Sequence, residues 1–170
     1  MSEKNTCVSI YSSHQSAEQA LGELRVEGLD VQQISIVGKG YQNEEHPVGF
    51  YTTGEHIYYQ GVQTAFWSNL QKLLSSASFF WLPGFGTLAT AGFIVRLLVE
   101  GQESIEVGGG FNVLGKSLFS MGIPRDSIVD YEQAIKAGKI LLIVHGMRSD
   151  VERAYHILHS KTQQVAVHMA

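Results

Sequence analysis

The stretch SFFWLPGFGTLATAGFIVRLLV, Ser78 to Val99, is an unusually apolar, glycine-punctuated run, and its reading decides the architecture expected of the whole chain. Its first part, SFFWL, runs into Pro83-Gly84. Proline lacks the N–H that a helix ladder needs and glycine frees the backbone, so the chain is expected to turn or kink there. Phe85 to Val99 is apolar almost all round, the pattern of a helix buried on every side, and this helix is expected to end near Gly101. Upstream, Phe66, Leu70, Leu73, Leu74 and Ala77 share one helical face, with Gln63, Asn69, Gln71, Lys72 and Ser76 elsewhere. That is the signature of an amphipathic helix. The segment from Thr64 to Gly101 is therefore expected to form an apolar helical hairpin.

A hydrocarbon core about 30 Å thick takes about 20 helical residues. The 15 residues of Phe85–Val99 reach only roughly 22 Å. Extending the span back to Ala77 supplies the length but places Pro83-Gly84 inside it as a kink. Arg96 lies near the far end, where its guanidinium can snorkel to an interface. The hairpin reads as an association device whose occupant is a second copy of the chain or membrane lipid, burial within a single chain being the third alternative. The residues expected to make that contact are the aromatics at the ends of the first helix, Phe66, Trp67, Phe79, Phe80 and Trp81, with Leu70 and Leu74 between them. The second helix is expected to add Phe85, Phe93, Ile94, Leu97 and Leu98. Gly84, Gly86 and Gly92 permit close backbone approach in either setting.

On either side of this segment the period changes. Val8 and Ile10 alternate with Ser9 and Tyr11 as in a half-buried strand; Ala17, Ala20, Leu21 and Leu24 then recur at helical spacing, and Val31, Ile34 and Ile36 resume a β-rich pattern. Near the other end, KILLIVH (Lys139–His145) has the length and composition of a central strand, with both faces needing cover. A helix follows, its stripe made by Val151, Ala154, Tyr155 and Leu158, and then a short strand around Val165 and Val167. Residues 1–40 and 139–170 thus each read β-α-β. Two such halves imply an α+β, ferredoxin-like sandwich, or an ACT-like domain sharing the same signals, with two helices on one sheet face and an open second face. That open face is a candidate surface for a dimer or for a small-molecule regulator. Residues 41–138 form the insertion: an aromatic loop around Gly49–Gly61, the hairpin, a stripe of Phe111, Leu114, Leu118 and Met121, and a helix from Pro124 to about Ala137.

Composition narrows the partners. Twelve Lys plus Arg in 170 residues, at a formal charge of −4, argue against a nucleic-acid backbone, whose affinity rests on clustered cations. Cys7 is the only cysteine, so no internal disulfide or multi-cysteine metal site can form. The N-terminal MSEKNTCVSI has no signal-peptide pattern, and a cytoplasmic location follows, either free or at the inner face of the membrane. Of the seven histidines, His156 and His159 are three apart on one helix with His145 and His168 on nearby strands, but no carboxylate completes a ligand set. They read as surface or helix-end residues, as do His46 and His56 beside the aromatic loop. Cys7, in a strand with no base beside it, reads as a small buried residue. GKG, GFG and GGG match neither a dinucleotide fingerprint nor a P-loop. No acid/base pair emerges among Glu44, Glu45, Asp126, Asp130 and Glu132. The expectation is a protein without catalytic residues, cofactor or metal.

The pieces GFYTTGEHIYYQG (49–61), TAFW (64–67), FFWLPGFGTLATAGF (79–93), GGGFNVLGKSLFSMGIPRDSI (108–128) and YEQAIKAGKILLIVHG (131–146), in this order between the βαβ units, resemble a bacterial family. These are the general-stress-protein-like domains of the heat-induced YflT type. The resemblance covers nearly the whole chain and implies a stress-linked, membrane-associated bacterial protein, with no catalytic residues to carry over. Where that family is expected to show a glycine-rich GAFWGGLWG, this chain reads TAFWSNLQKLL (64–74), which is more polar and favours a helix with a wet or protein-facing side. The reading that follows is a non-enzymatic, self-associating stress protein whose insertion joins copies of the chain.

Overall fold

The computed structural model describes residues 5–39, 77–82, 86–103, 113–159 and 165–168. In chain order these form β1 (Asn5–Tyr11), α1 (His14–Val26), a 3-10 turn (Val31–Gln33), β2 (Ile34–Lys39), β3 (Ala77–Leu82), β4 (Gly86–Gly92), α2 (Ile94–Glu103), α3 (Val113–Ser120), α4 (Arg125–Lys136), β5 (Ile140–Gly146), α5 (Arg148–His159) and β6 (Val165–His168). The fold is mixed α+β, with one six-stranded sheet in the order β3-β4-β2-β5-β1-β6. Every neighbouring pair is antiparallel.

Local chemistry explains the ends of the elements. Ser13 Oγ accepts the Ser16 N–H at 3.1 Å and opens α1, while Asp30 Oδ1 accepts the Gln32 N–H at 2.9 Å and opens the 3-10 turn. β5 is the central strand that KILLIVH suggests. It pairs with β1 from Asn5↔Gly146 to Tyr11↔Ile140, and with β2 from Ile34↔Val144 to Val37↔Leu141. Its alternate side chains feed two cores. Ile140, Leu142 and Val144 join Cys7, Ile36, Leu21, Leu24, Ala154 and Leu158 beneath α1 and α5. Leu141 and Ile143 join Val8, Val37 and Leu88 beneath Ile94 and Leu98 of α2, Leu114 and Leu118 of α3, and Ile128 and Ile135 of α4.

Two expectations are corrected. First, the apolar run does not form a helical hairpin: Ala77–Leu82 and Gly86–Gly92 are antiparallel strands, with Leu82 opposite Gly86, and the helix begins only at Ile94. A short apolar run satisfies a doubly covered strand as well as a buried helix, and periodicity alone does not separate them. Here Leu88 and Thr90 point into the second core's side of the sheet while Ala89 and Ala91 pack on the first, all fully buried. What settles the matter is the hydrogen-bonding edge of β2, which β4 occupies from Ser35↔Gly92 to Lys39↔Leu88. The amphipathic helix expected from Thr64 lies outside the described residues as far as Ser76, and its last residue, Ala77, is in β3.

Second, the sheet face expected to be open is covered. α2, α3 and α4 lie on it and share their core with strands from both terminal βαβ units, so it offers neither a free dimer surface nor a ligand face. The described part of the insertion shares this core with the terminal units. Among the described residues, no helix is long and apolar enough to cross a membrane.

Candidate functional site

The residues expected to mediate association fall into three groups. Phe66, Trp67, Leu70, Leu74 and Phe85 lie outside the described residues. Phe79, Phe80 and Trp81 are in β3, at register positions opposite Ala89, Leu88 and Thr87, and β4 is the one strand paired with β3 among the described residues. The third group sits around α2. Ile94 and Leu98 are fully buried in the second core and cannot contact another molecule, whereas Phe93 and Leu97 are half-buried and pack on its margin. That burial corrects the expected role of Ile94 and Leu98. An apolar stripe on a helix reports only that something covers it, and here the cover is the chain's own sheet.

A groove of 790 Å³ opens where the 3-10 turn, the start of α2 and the junction of β5 with α5 meet, lined by Asp30, Gln33, Phe93, Arg96, His145 and Asp150 among others. Two glycines shape it. Gly92 has φ +94°, and a Cβ there would run into the Ile34 carbonyl oxygen and lie 3.0 Å from Ser35 Cα. Only glycine lets β4 turn this closely over β2 into α2. The Ser35 hydroxyl then accepts the Ile94 N–H at 3.0 Å, satisfying one of the free donors at the helix start. Gly146 has φ +144°, and a Cβ there would overlap the Gln33 side-chain amide. Placed over Gly146, Gln33 Nε2 donates to Asp150 Oδ2 at 3.1 Å, tying the 3-10 turn to the first turn of α5.

Beside that link the Phe93 and His145 rings pack at a centroid separation of 4.4 Å, tilted by 36°. Burial holds the His145 imidazole below its ordinary pKa, and a hydrogen bond with the Gln33 backbone opposes the shift. Nδ1 of His145 is buried without a partner. Arg96 is exposed at the rim.

The other residues with chemical potential are dispersed. His168 Nε2 lies 2.7 Å from the Tyr131 hydroxyl, joining β6 to α4. Burial lowers the pKa of His168 and pushes that of Tyr131 up to about 12. His156 and His159 flank Tyr155 on α5, on the opposite side of the sheet from His145 and His168. Among the described residues, no group of three or more His, Cys, Asp or Glu side chains could hold a metal ion. Cys7 is buried, which pushes its thiol up to about 12, so it is protonated rather than nucleophilic at neutral pH.

Arg96 and His145 stand out in the sequence, one as a cation in an apolar run and the other as the end of a strand, but nothing there brings them together with Asp30, Gln33 and Asp150. The groove draws on three separated segments, and Gly92, in the step from the β-run to the helix, is the sequence signal of a close backbone approach. Compared with known protein families, curated proteins and solved structures, the chain matches none.

Proposed function

We propose that this chain is a non-enzymatic, self-associating bacterial stress protein of the cytoplasm, built on a ferredoxin-like sandwich, and that copies join along β3. The order β2-β5-β1-β6 with α1 and α5 on one face supports the ferredoxin-like reading; β3 and β4 widen that sheet and α2 to α4 cover its second face. The observation that carries the association reading is the position of β3. It ends the sheet among the described residues, and its sequence, ASFFWL, is apolar and free of charge and proline. An edge strand of this kind is a template for pairing with another chain. Antiparallel pairing of two β3 strands about a two-fold axis would make the contact isologous and closed. The stress assignment rests on the family resemblance of the FFWLPGFG and GIPRDS stretches.

Light scattering after size exclusion, without detergent, tests this reading. The expected mass is a multiple of 18.7 kDa, reduced to one chain by Trp81→Lys, because an edge lysine blocks strand pairing. A parent protein that elutes as a single chain opposes the reading, and carbonate-resistant partitioning into membranes favours lipid as the partner instead.

A further inference from the structure

The groove beside α2 leaves several of its own polar groups unmatched. Asp30 and Asp150 each accept one hydrogen bond from an uncharged donor, Gln32 N–H and Gln33 Nε2. Among the described residues neither carboxylate meets a cation, and the exposed Arg96 guanidinium meets no anion. One cation and two anions thus line a concavity of 790 Å³ without pairing to each other, a size within the range of small-molecule sites, about 300–1,000 Å³. The same groove offers an aromatic wall, the half-buried Phe93 and His145 rings tilted against each other by 36°.

These features together select a ligand type. A simple anion such as phosphate is attracted by Arg96 but repelled by two carboxylates, and a simple amine is attracted by the carboxylates but repelled by Arg96. A molecule carrying both charges satisfies both sets. We propose that the groove binds a small zwitterion of the free α-amino-acid type, its ammonium taken by Asp30 and Asp150, its carboxylate by Arg96, and its side chain resting on the Phe93–His145 pair. This site is separate from β3 and independent of self-association.

Calorimetric titration of the full chain with the free L-α-amino acids, one at a time, tests the proposal. Each amino acid is compared with its two half-molecules, the amine without the carboxylate and the acid without the amine. At least one amino acid is expected to bind with a Kd of about 1 mM or tighter, and both of its halves at least about tenfold more weakly. Arg96→Gln and Asp150→Asn should each weaken that amino acid at least about tenfold, while Arg96→Lys, which keeps the charge, should fall between parent and Arg96→Gln. Arg96 is exposed, so its replacement leaves the core intact. Three outcomes overturn the proposal: no heat from any amino acid at about 10 mM, a half-molecule that binds as well as the whole, or binding indifferent to both Arg96→Gln and Asp150→Asn.

Discussion

Replacing Leu98 with alanine distinguishes a core residue from an interface residue. Leu98 is fully buried between α2 and the sheet, in the core that also holds Ile94, Leu114 and Leu141. The substitution removes three carbon atoms, which at about 0.8 kcal/mol each gives about 2.4 kcal/mol of lost transfer energy. The surrounding sheet and helices relax only partly, so a cavity term raises the cost to about 3–5 kcal/mol. Leu97, one residue earlier and half-buried, should cost only about 1 kcal/mol on the same substitution. Urea unfolding followed by circular dichroism provides the assay. With a slope of about 2 kcal/mol/M, the Leu98→Ala midpoint should fall by about 1.5–2.5 M while the slope is unchanged. Dilution should leave the difference between variant and parent unaltered, because the lost contacts lie within one chain. A Leu98→Ala protein that keeps the parent unfolding free energy to within about 0.5 kcal/mol and changes only its mass would place Leu98 between molecules and refute the core assignment.

Gly92→Ala should destabilise by about 2–4 kcal/mol, since it combines a left-handed backbone with a Cβ driven into the Ile34 carbonyl; thermal unfolding checks this, and a change under about 0.5 kcal/mol would contradict the geometry. Gly22→Ala, inside α1 with nothing within 4 Å of the added carbon, should stabilise by about 0.5–1 kcal/mol in the same measurement. The histidines predict a pH dependence. Burial lowers His145 and His168 below 6.5 in the folded protein, so the unfolded chain binds protons first as pH falls. Their contribution is fully present above pH 6.5 and is lost on acidification from 6.5 down through the folded values. His168→Gln should remove part of that slope in unfolding free energies, and a parent protein that gains stability on acidification across this window would reverse the sign. Cys7, with its pKa pushed up to about 12, should have only about one thiolate in ten thousand at pH 8; an alkylating reagent should label it only as fast as the protein unfolds, and labelling of the native protein at the rate of a free thiol would show that the thiol is accessible.

Much of the framework is legible because its signals are local. Ala17, Leu21 and Leu24 in α1, and Val151, Ala154 and Leu158 in α5, recur at helical spacing and are buried as that spacing requires. Lys139–His145 reads as a central strand because its five consecutive apolar residues, Ile140 to Val144, demand cover on both faces, and Leu141 and Leu142 face different cores. Leu114 and Leu118 in α3 and Met121 just past its end are buried for the same reason, while Phe111 of that stripe lies outside the described residues. The stretch from Gly86 to Gly92 is different: Thr87, Leu88, Ala89, Thr90 and Ala91 carry neither a helical period nor a contrast between a wet and a dry side. Both sides of this strand are buried, so the polar residues that would mark its alternation are missing.

The amino-acid sequence by itself therefore determined the two βαβ units and the centrality of β5, since each follows from spacing along a few turns or one strand. Only the tertiary structure decided what the apolar stretch from Ser78 to Val99 becomes. Its backbone donors and acceptors find partners on the edge of β2, and its apolar side chains at Leu88, Ile94 and Leu98 find cover within the same chain. Hydrophobicity is non-directional: it specifies that surface must be buried but not against what. The partner was set by a strand edge more than 40 residues away in the chain, and the groove of Arg96, His145 and Asp150 exists only because that pairing was made.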